Sequence, residues 1–262
     1  MKMLCLTVAM VIGALTASAQ PLQNRALPAN EQLQYKLYFN WKFIWVSAGT
    51  AKMSTTETTY KGKPAFKCYL STATSKKVDK YFRMRDTLLV YASKQLMPLY
   101  YRKASHEGKR NYFDEITYSH QNGTCRVSHH SVKASGAVKN ESHTYDHTVY
   151  DMLNVFLRAR NFDATNWKKG HTVNIDIAGF SDIVKAKLVY RGKTSVKAED
   201  GNKHNCLELS YIEREDNKDH EVCRFFVTDD VRHIPVRIDL NLKFGTAKAF
   251  INTVPEVPLQ GV

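Results

Sequence analysis

From Leu33 to Trp45 every odd position is apolar or aromatic: Leu33, Tyr35, Leu37, Phe39, Trp41, Phe43 and Trp45. Gln32, Gln34, Lys36, Asn40 and Lys42 stand among the even positions. A helix returns to the same face every three or four residues and cannot generate a period of two. The segment is therefore a long strand, or a bent hairpin, with one buried face. Near the other end Val236, Ile238, Leu240, Leu242 and Phe244 repeat the pattern, with Arg237, Asp239, Asn241 and Lys243 between them. Shorter runs read the same way at Thr87–Tyr91, Ile116–Ser119, Val173–Ile177, Val184–Tyr190, Leu207–Tyr211 and Cys223–Val227. Turn chemistry separates them at Lys61-Gly62, Gly108-Lys109, Asn122-Gly123, Asp200-Gly201 and Asp216-Asn217.

Two segments break the rhythm. Val149, Met152, Leu153, Phe156 and Leu157 follow helical spacing, which predicts an amphipathic helix over about 149–160 with Arg158 and Arg160 near its C-terminal end. A shorter helix is expected at 76–82. The fold class that follows is mainly β: a curled antiparallel sheet or incomplete barrel with one or two short helices. The chain also echoes itself. Cys68-Tyr-Leu-Ser71 resembles Cys206-Leu-Glu-Leu-Ser210, and Leu96-Met-Pro98 resembles His233-Ile-Pro235, at offsets of 138 and 137 residues. That suggests two related β halves, about 31–145 and 166–255, joined by the helix within one domain spanning 20–262. Gly49 and Gly245 each follow a long alternating run, where a glycine marks a bulge or a sharp bend.

The front of the chain reads as an address. Lys2 precedes the apolar run Met3–Leu15, and Ala17-Ser18-Ala19 supplies a small-residue cleavage site. The apolar run is shorter than the ~20 residues a membrane-crossing helix needs, and no comparable run recurs. The expectation is a signal peptide over 1–19 and an exported protein, periplasmic or secreted, without a transmembrane segment. Losing residues 1–19 removes Lys2 alone, so a formal charge of +13 becomes +12. Such a surface favours anionic partners, but the Lys and Arg are scattered and form no continuous nucleic-acid arm.

Four cysteines remain after that cleavage: Cys68, Cys125, Cys206 and Cys223. In an oxidising compartment they allow two bridges in three connectivities. A two-residue turn at Asp216-Asn217 would put Cys206 opposite Val227 and Cys223 opposite Ser210. The two sulfurs would then stand too far apart to bridge, and the other pairings stay open. No C-x-x-C spacing points to a metal. His120, His129, His130, His143 and His147 cluster in sequence; His143 and His147 have i, i+4 spacing, but 142–148 is polar and reads as loop or edge strand, so neither a metal nor a cofactor is expected. The nucleophile-elbow, zinc-protease and phosphate-loop motifs are missing. The carboxylates Asp86, Asp151, Asp182, Asp229 and Asp230 are candidates for acid–base work only if folding pairs two of them across a cleft. Asp151 reads more simply as the support of its helix, and Asp229-Asp230 as a turn.

With these pieces assembled, the chain resembles a large exported bacterial family catalogued as domain of unknown function 3108. The resemblance rests on the Tyr35–Gly49 strand with Trp41 and Trp45, on Asp86 and Pro98, and on the helix Asp151-Met-Leu-Asn-Val-Phe-Leu-Arg158. It continues through Phe226-Val-Thr-Asp-Asp230-Val-Arg-His-Ile-Pro235 to Gly245. It implies an exported β-rich protein without an established activity, broadly similar in architecture to half-open barrels that carry acyl chains or lipids across the periplasm. The aromatic stripe Phe39, Trp41, Phe43 and Trp45 is then either core or the wall of a ligand site. Three functions follow in order: a non-enzymatic binder of an apolar or amphiphilic envelope ligand; an adaptor for an envelope protein or acidic glycan; a hydrolase of an envelope polymer using a carboxylate pair.

Overall fold

The computed structural model describes residues 24–41, 44–179, 182–242 and 245–256, so the expected signal peptide over 1–19 lies outside the described residues. The alternating runs become β1 (Asn30–Trp41), β2 (Ile44–Tyr60), β3 (Lys63–Thr74), β4 (Met84–Ser93), β5 (Pro98–Glu107), β6 (Arg110–Gln121), β7 (Thr124–Val132) and β8 (Val138–Tyr145). They continue as β9 (Thr172–Ala178), β10 (Ile183–Lys197), β11 (Lys203–Glu215), β12 (Lys218–Thr228), β13 (Pro235–Leu242) and β14 (Gly245–Ile251). The two helices are α1 (Lys76–Asp79) and α2 (Met152–Ala159).

All the strands belong to one antiparallel sheet, ordered β8-β7-β6-β5-β4-β3-β2-β1-β14-β13-β12-β11-β10-β9. Each half is an up-and-down meander, and β1 pairing with β14 fuses them, Tyr35 opposite Ile251 and Phe39 opposite Ala247. Bulges bend the sheet at Leu37/Tyr38, Tyr91/Ala92, Tyr190/Gly192, Tyr211/Ile212 and Phe226/Val227, each adding local twist. The curl brings the edge strands β8 and β9 near each other without pairing them. Tyr150 lies in the seam, its N–H donating to Asp176 O at 2.9 Å and its carbonyl accepting from Ala178 N at 2.7 Å. Tyr145 of β8, Ala178 of β9 and Ile183 of β10 pack against the buried cluster that contains Val149. The barrel is therefore incomplete, with its gap caulked by the chain that leads into α2.

The internal echo falls on equivalent strands. Cys68 lies on β3 and Cys206 on β11, both fully buried, while Pro98 opens β5 and Pro235 opens β13. Two residues before each proline the backbone is left-handed, at Leu96 (φ 57°) and His233 (φ 42°). The two matching segments thus share a left-handed residue two places before the proline. Lys61-Gly62, Asn122-Gly123 and Asp216-Asn217 have both residues at positive φ, the hairpin turn whose twist matches that of the strands. Gly49 sits beside the β1–β2 bulge at closest approach to β3, where an added Cβ would lie 2.0 Å from Ala73 O. Gly245, by contrast, opens β14 at φ 130° and marks a turn.

Helix α2 fills the concave side. Asp151 caps it, its Oδ1 accepting from Asn154 N at 2.9 Å. Leu153 and Leu157 pack with Leu33, Phe66, Val90, Val236 and Ile251, whereas Val155 and Met152 meet Ile175, Leu188 and Tyr211. One helix thus joins the cores of both halves. At its C-terminal end the buried Arg160 guanidinium donates to both oxygens of Glu31, at 2.6 and 2.8 Å, and to Arg232 O at 3.0 Å. The shorter helix expected at 76–82 is a single turn, α1, with 80–81 continuing as turn.

The four cysteines among the described residues are unbridged and buried. The β11–β12 register agrees with the sequence reading next to the turn, Glu215 opposite Lys218. Beyond the bulge at Tyr211/Ile212 it shifts by one, so Cys206 faces Thr228 and Cys223 faces Tyr211, not Val227 and Ser210. Burial pushes the Cys68 thiol up to about 12 and Cys206 up to about 11.

Candidate functional site

Up-and-down topology sorts the connections between two rims. Those after β1, β3, β5, β7, β9, β11 and β13 fall on one rim; α2, its flanking loops and the remaining turns fall on the other. Eight large apolar side chains are exposed among the described residues, and Ile44, Trp45, Val46, Tyr81, Phe82, Val138 and Leu242 all belong to the first rim. Only Val231 lies on the second. Scattered surface apolar residues need no explanation, whereas this concentration at one end is a candidate contact surface.

The predicted stripe is divided there. Trp41 pairs with Ile44, Phe39 with Val46 and Asn40 with Trp45. Directly opposed residues share a face, so Phe39, Val46 and Ile44 belong to the concave side and Trp45 to the convex side, where Lys248 Nζ sits 4.4 Å from its ring centroid. Phe43 lies outside the described residues, and for Trp41 the backbone alone is described. Odd-position parity ends at this turn, which is why one stripe becomes two faces. The concave part continues across β14 and β13: Ala247 opposes Phe39 and Leu240 opposes Ala247. Two residues on, Leu242 is 48% exposed. Sequence reasoning singled out Phe39 and Trp45, and missed Val46, Ile44 and Leu242 as companions of Phe39.

Across the mouth, the concave face of β4 to β7 is apolar at depth and carries polar groups only toward this rim. Asp86 opposes Ser105, and Ile116 opposes both Tyr101 and His129. The Ser105 hydroxyl contacts Asp86, and lies 3.0 Å from Glu107 Oε1. Burial raises the Asp86 carboxyl above its usual range. One side of the mouth is therefore aliphatic and aromatic, the other carries carboxyl and hydroxyl groups.

The remaining candidates are dispersed. Asp151 is buried, accepting from Asn154 Nδ2 at 2.6 Å and Tyr118 OH at 3.2 Å, and burial moves it up to about 6. Asp229 holds Lys193 at 2.7 Å and Asp230 holds Arg232 at 2.7 Å; Asp182 accepts from Ile183 N. Asp229 and Asp230 line a cavity of about 390 Å³ on the second rim, beside Arg160, Asn161, Asp163 and His233. The Arg232 guanidinium holds Asp230, and hydrogen bonds from Thr165 hold Asp163, below the usual carboxylate range. Neither Asp163 nor Asp230 is therefore tuned to donate a proton near neutral pH.

The histidines also part company. His120 contacts Pro98 O at 2.7 Å, His130 meets Asn140, and His143 lies 3.4 Å from Glu141. His147 bridges Asp146 and Asp176 at the seam, at 2.6 and 2.8 Å. No group of three or more His, Cys, Asp or Glu suited to a metal occurs among the described residues. Nor is any helix among them long and apolar enough to cross a membrane.

Comparison with known proteins agrees with this architecture. A crystal structure of a beta-barrel-like protein of domain of unknown function DUF1849 from Brucella abortus is similar at a TM-score of 0.55 and 9% identity, covering 87% of this chain and 97% of that one. At that identity the likeness concerns the fold alone. No curated protein matches the chain. The family described as protein of unknown function, DUF3108, matches residues 34–252. That span takes in the sheet from β1 to β14 together with α2, and the chain belongs to this family.

Proposed function

We propose that this protein is a non-enzymatic binder of an amphiphilic envelope ligand, a lipid or acyl chain, engaged at the mouth of the curled sheet. The observation that carries the reading is the concave mouth itself. Phe39, Val46, Ile44 and Leu242 present apolar surface on one side, with the Asp86–Ser105–Glu107 wall on the other. An apolar wall with a few convergent polar groups is the usual composition of a ligand site. Because α2 occupies the deep concave side, the ligand's apolar part is met at the rim and not in a sealed tunnel. The reading includes export to the periplasm or beyond, supported by the signal-peptide layout of residues 1–19.

Native mass spectrometry of the mature protein after gentle extraction tests it. A co-purifying lipid, lost from a Val46→Asp/Leu242→Asp double variant that keeps its thermal midpoint, is the expected result. A bare protein mass across several preparations would overturn the reading.

A further inference from the structure

The apolar rim has a second, separate part that the mouth does not use. Between β3 and β4 runs Lys76-Lys77-Val78-Asp79-Lys80-Tyr81-Phe82-Arg83. Tyr81 is 89% and Phe82 49% exposed, and Lys76, Lys77, Lys80 and Arg83 are exposed as well. The segment's single carboxylate is already engaged. Asp79 receives Arg85 Nη2 at 2.5 Å and the Thr74 hydroxyl at 2.5 Å, and Arg85 holds it down to about 2. Among the described residues the four cations of the segment have no ion-pair partner.

The exposure is built in. Ser75 caps α1, Gly108 N donates to Arg83 O at 2.7 Å, and Met84 N donates to the Thr74 hydroxyl at 2.9 Å. These bonds fix the segment against the β5–β6 turn, where Lys109 and Arg110 add two more exposed cations. Tyr81 projects from this anchored segment while the half-exposed Phe82 ring rests beside Gly108, which leaves an aromatic and basic surface at this end of the sheet.

We propose that the 76–83 segment, with Lys109 and Arg110, docks the protein on an anionic lipid bilayer. Exposed aromatic rings sit at the level of lipid head groups, and flanking cations are drawn to anionic ones. Two rings and a set of unpaired cations on one exposed surface match a layer that is anionic at its face and apolar just beneath, which is the make-up of an anionic bilayer. The ring pair selects the bilayer. Docking stands on different residues from the mouth and does not depend on a ligand being held there.

Co-sedimentation of the full mature protein with vesicles tests it. One set contains about a third phosphatidylglycerol in phosphatidylcholine, the other phosphatidylcholine alone. Binding is expected to the anionic set, to weaken as salt rises, and to fall roughly fivefold for each cation removed in Lys76→Gln, Lys77→Gln and Lys80→Gln. Tyr81→Ala/Phe82→Ala should weaken it at unchanged charge, while Lys193→Gln on the opposite rim should not. All these side chains are exposed, so an unchanged thermal midpoint verifies folding. Lipid co-purification in native mass spectrometry should persist in the 76–83 variants, which separates a failure of docking from a failure of the mouth. Equal binding to both vesicle sets, or anionic binding indifferent to Tyr81 and Phe82, would overturn the proposal; the latter would indicate a polyanion partner.

Discussion

Arg160 ties the end of α2 to the first strand of the sheet. Its guanidinium is 1% exposed and meets Glu31 on β1, 129 positions earlier in the chain. A buried pair of this kind is weak evidence for net stabilisation, but removing one partner strands a charge in the core. Arg160→Met is expected to cost about 3–5 kcal/mol, a fall of roughly 6–20 °C in Tm for a chain of this size. The Glu31→Met/Arg160→Met pair should recover much of that loss. Thermal denaturation of the three variants checks it, and a double variant no better than the single would show that the cost is lost packing. Sequence could not have disclosed this pair. Arg160 reads there as an ordinary cation at a helix end, and nothing local connects it to Glu31.

At the scale of elements, α2 ties burial to pH. Asp151 titrates near 6 in the folded protein because burial disfavours its charge. Its folded value lies above its unfolded one, so its contribution to stability is fully present below about pH 4 and is lost as pH rises through about 6. The loss is on the order of 3 kcal/mol. Asp151→Asn keeps a capping side chain without the charge. The stability of the wild type relative to this variant is therefore expected to decline between pH 4 and 6.5 and then level off. Denaturant titrations of both proteins at several pH values check it, and a difference independent of pH would mean that Asp151 titrates normally.

What was legible at this scale follows from how local each signal is. Alternation in 33–41 and 236–242 needs only a strand and its two faces, and α2 announces itself by spacing. Bulges leave no such signature. The extra residue near Tyr211/Ile212 shifted Cys206 and Cys223 by one partner, and the turn after Trp41 sent Trp45 to the convex face. The candidate mouth was thus only partly readable. Phe39 stood in an alternating run, but Val46 and Leu242 joined it through pairing that is set by the sheet.

For the whole molecule, the account rests on asymmetry between the ends of one curled sheet. The end carrying α2 is closed by helix, buried ion pair and paired carboxylates. The opposite end exposes apolar side chains on several hairpins that are distant in sequence and adjacent in space. An antiparallel sheet of this length ordinarily has two edges ready to pair with other chains. Here Tyr150 covers one edge through its bonds to Asp176 and Ala178, and β8 carries charged and polar residues such as Lys139, Glu141 and His143. The open mouth remains the surface proposed to meet a ligand.

Photo-crosslinking of the mature protein with a monoacyl lipid bearing a diazirine on its chain, followed by peptide mapping, tests this most directly. The account predicts label within 37–48 and 238–248, the hairpins that flank the mouth. Label concentrated in 160–165 and 229–233, at the polar cleft on the closed end, would contradict it.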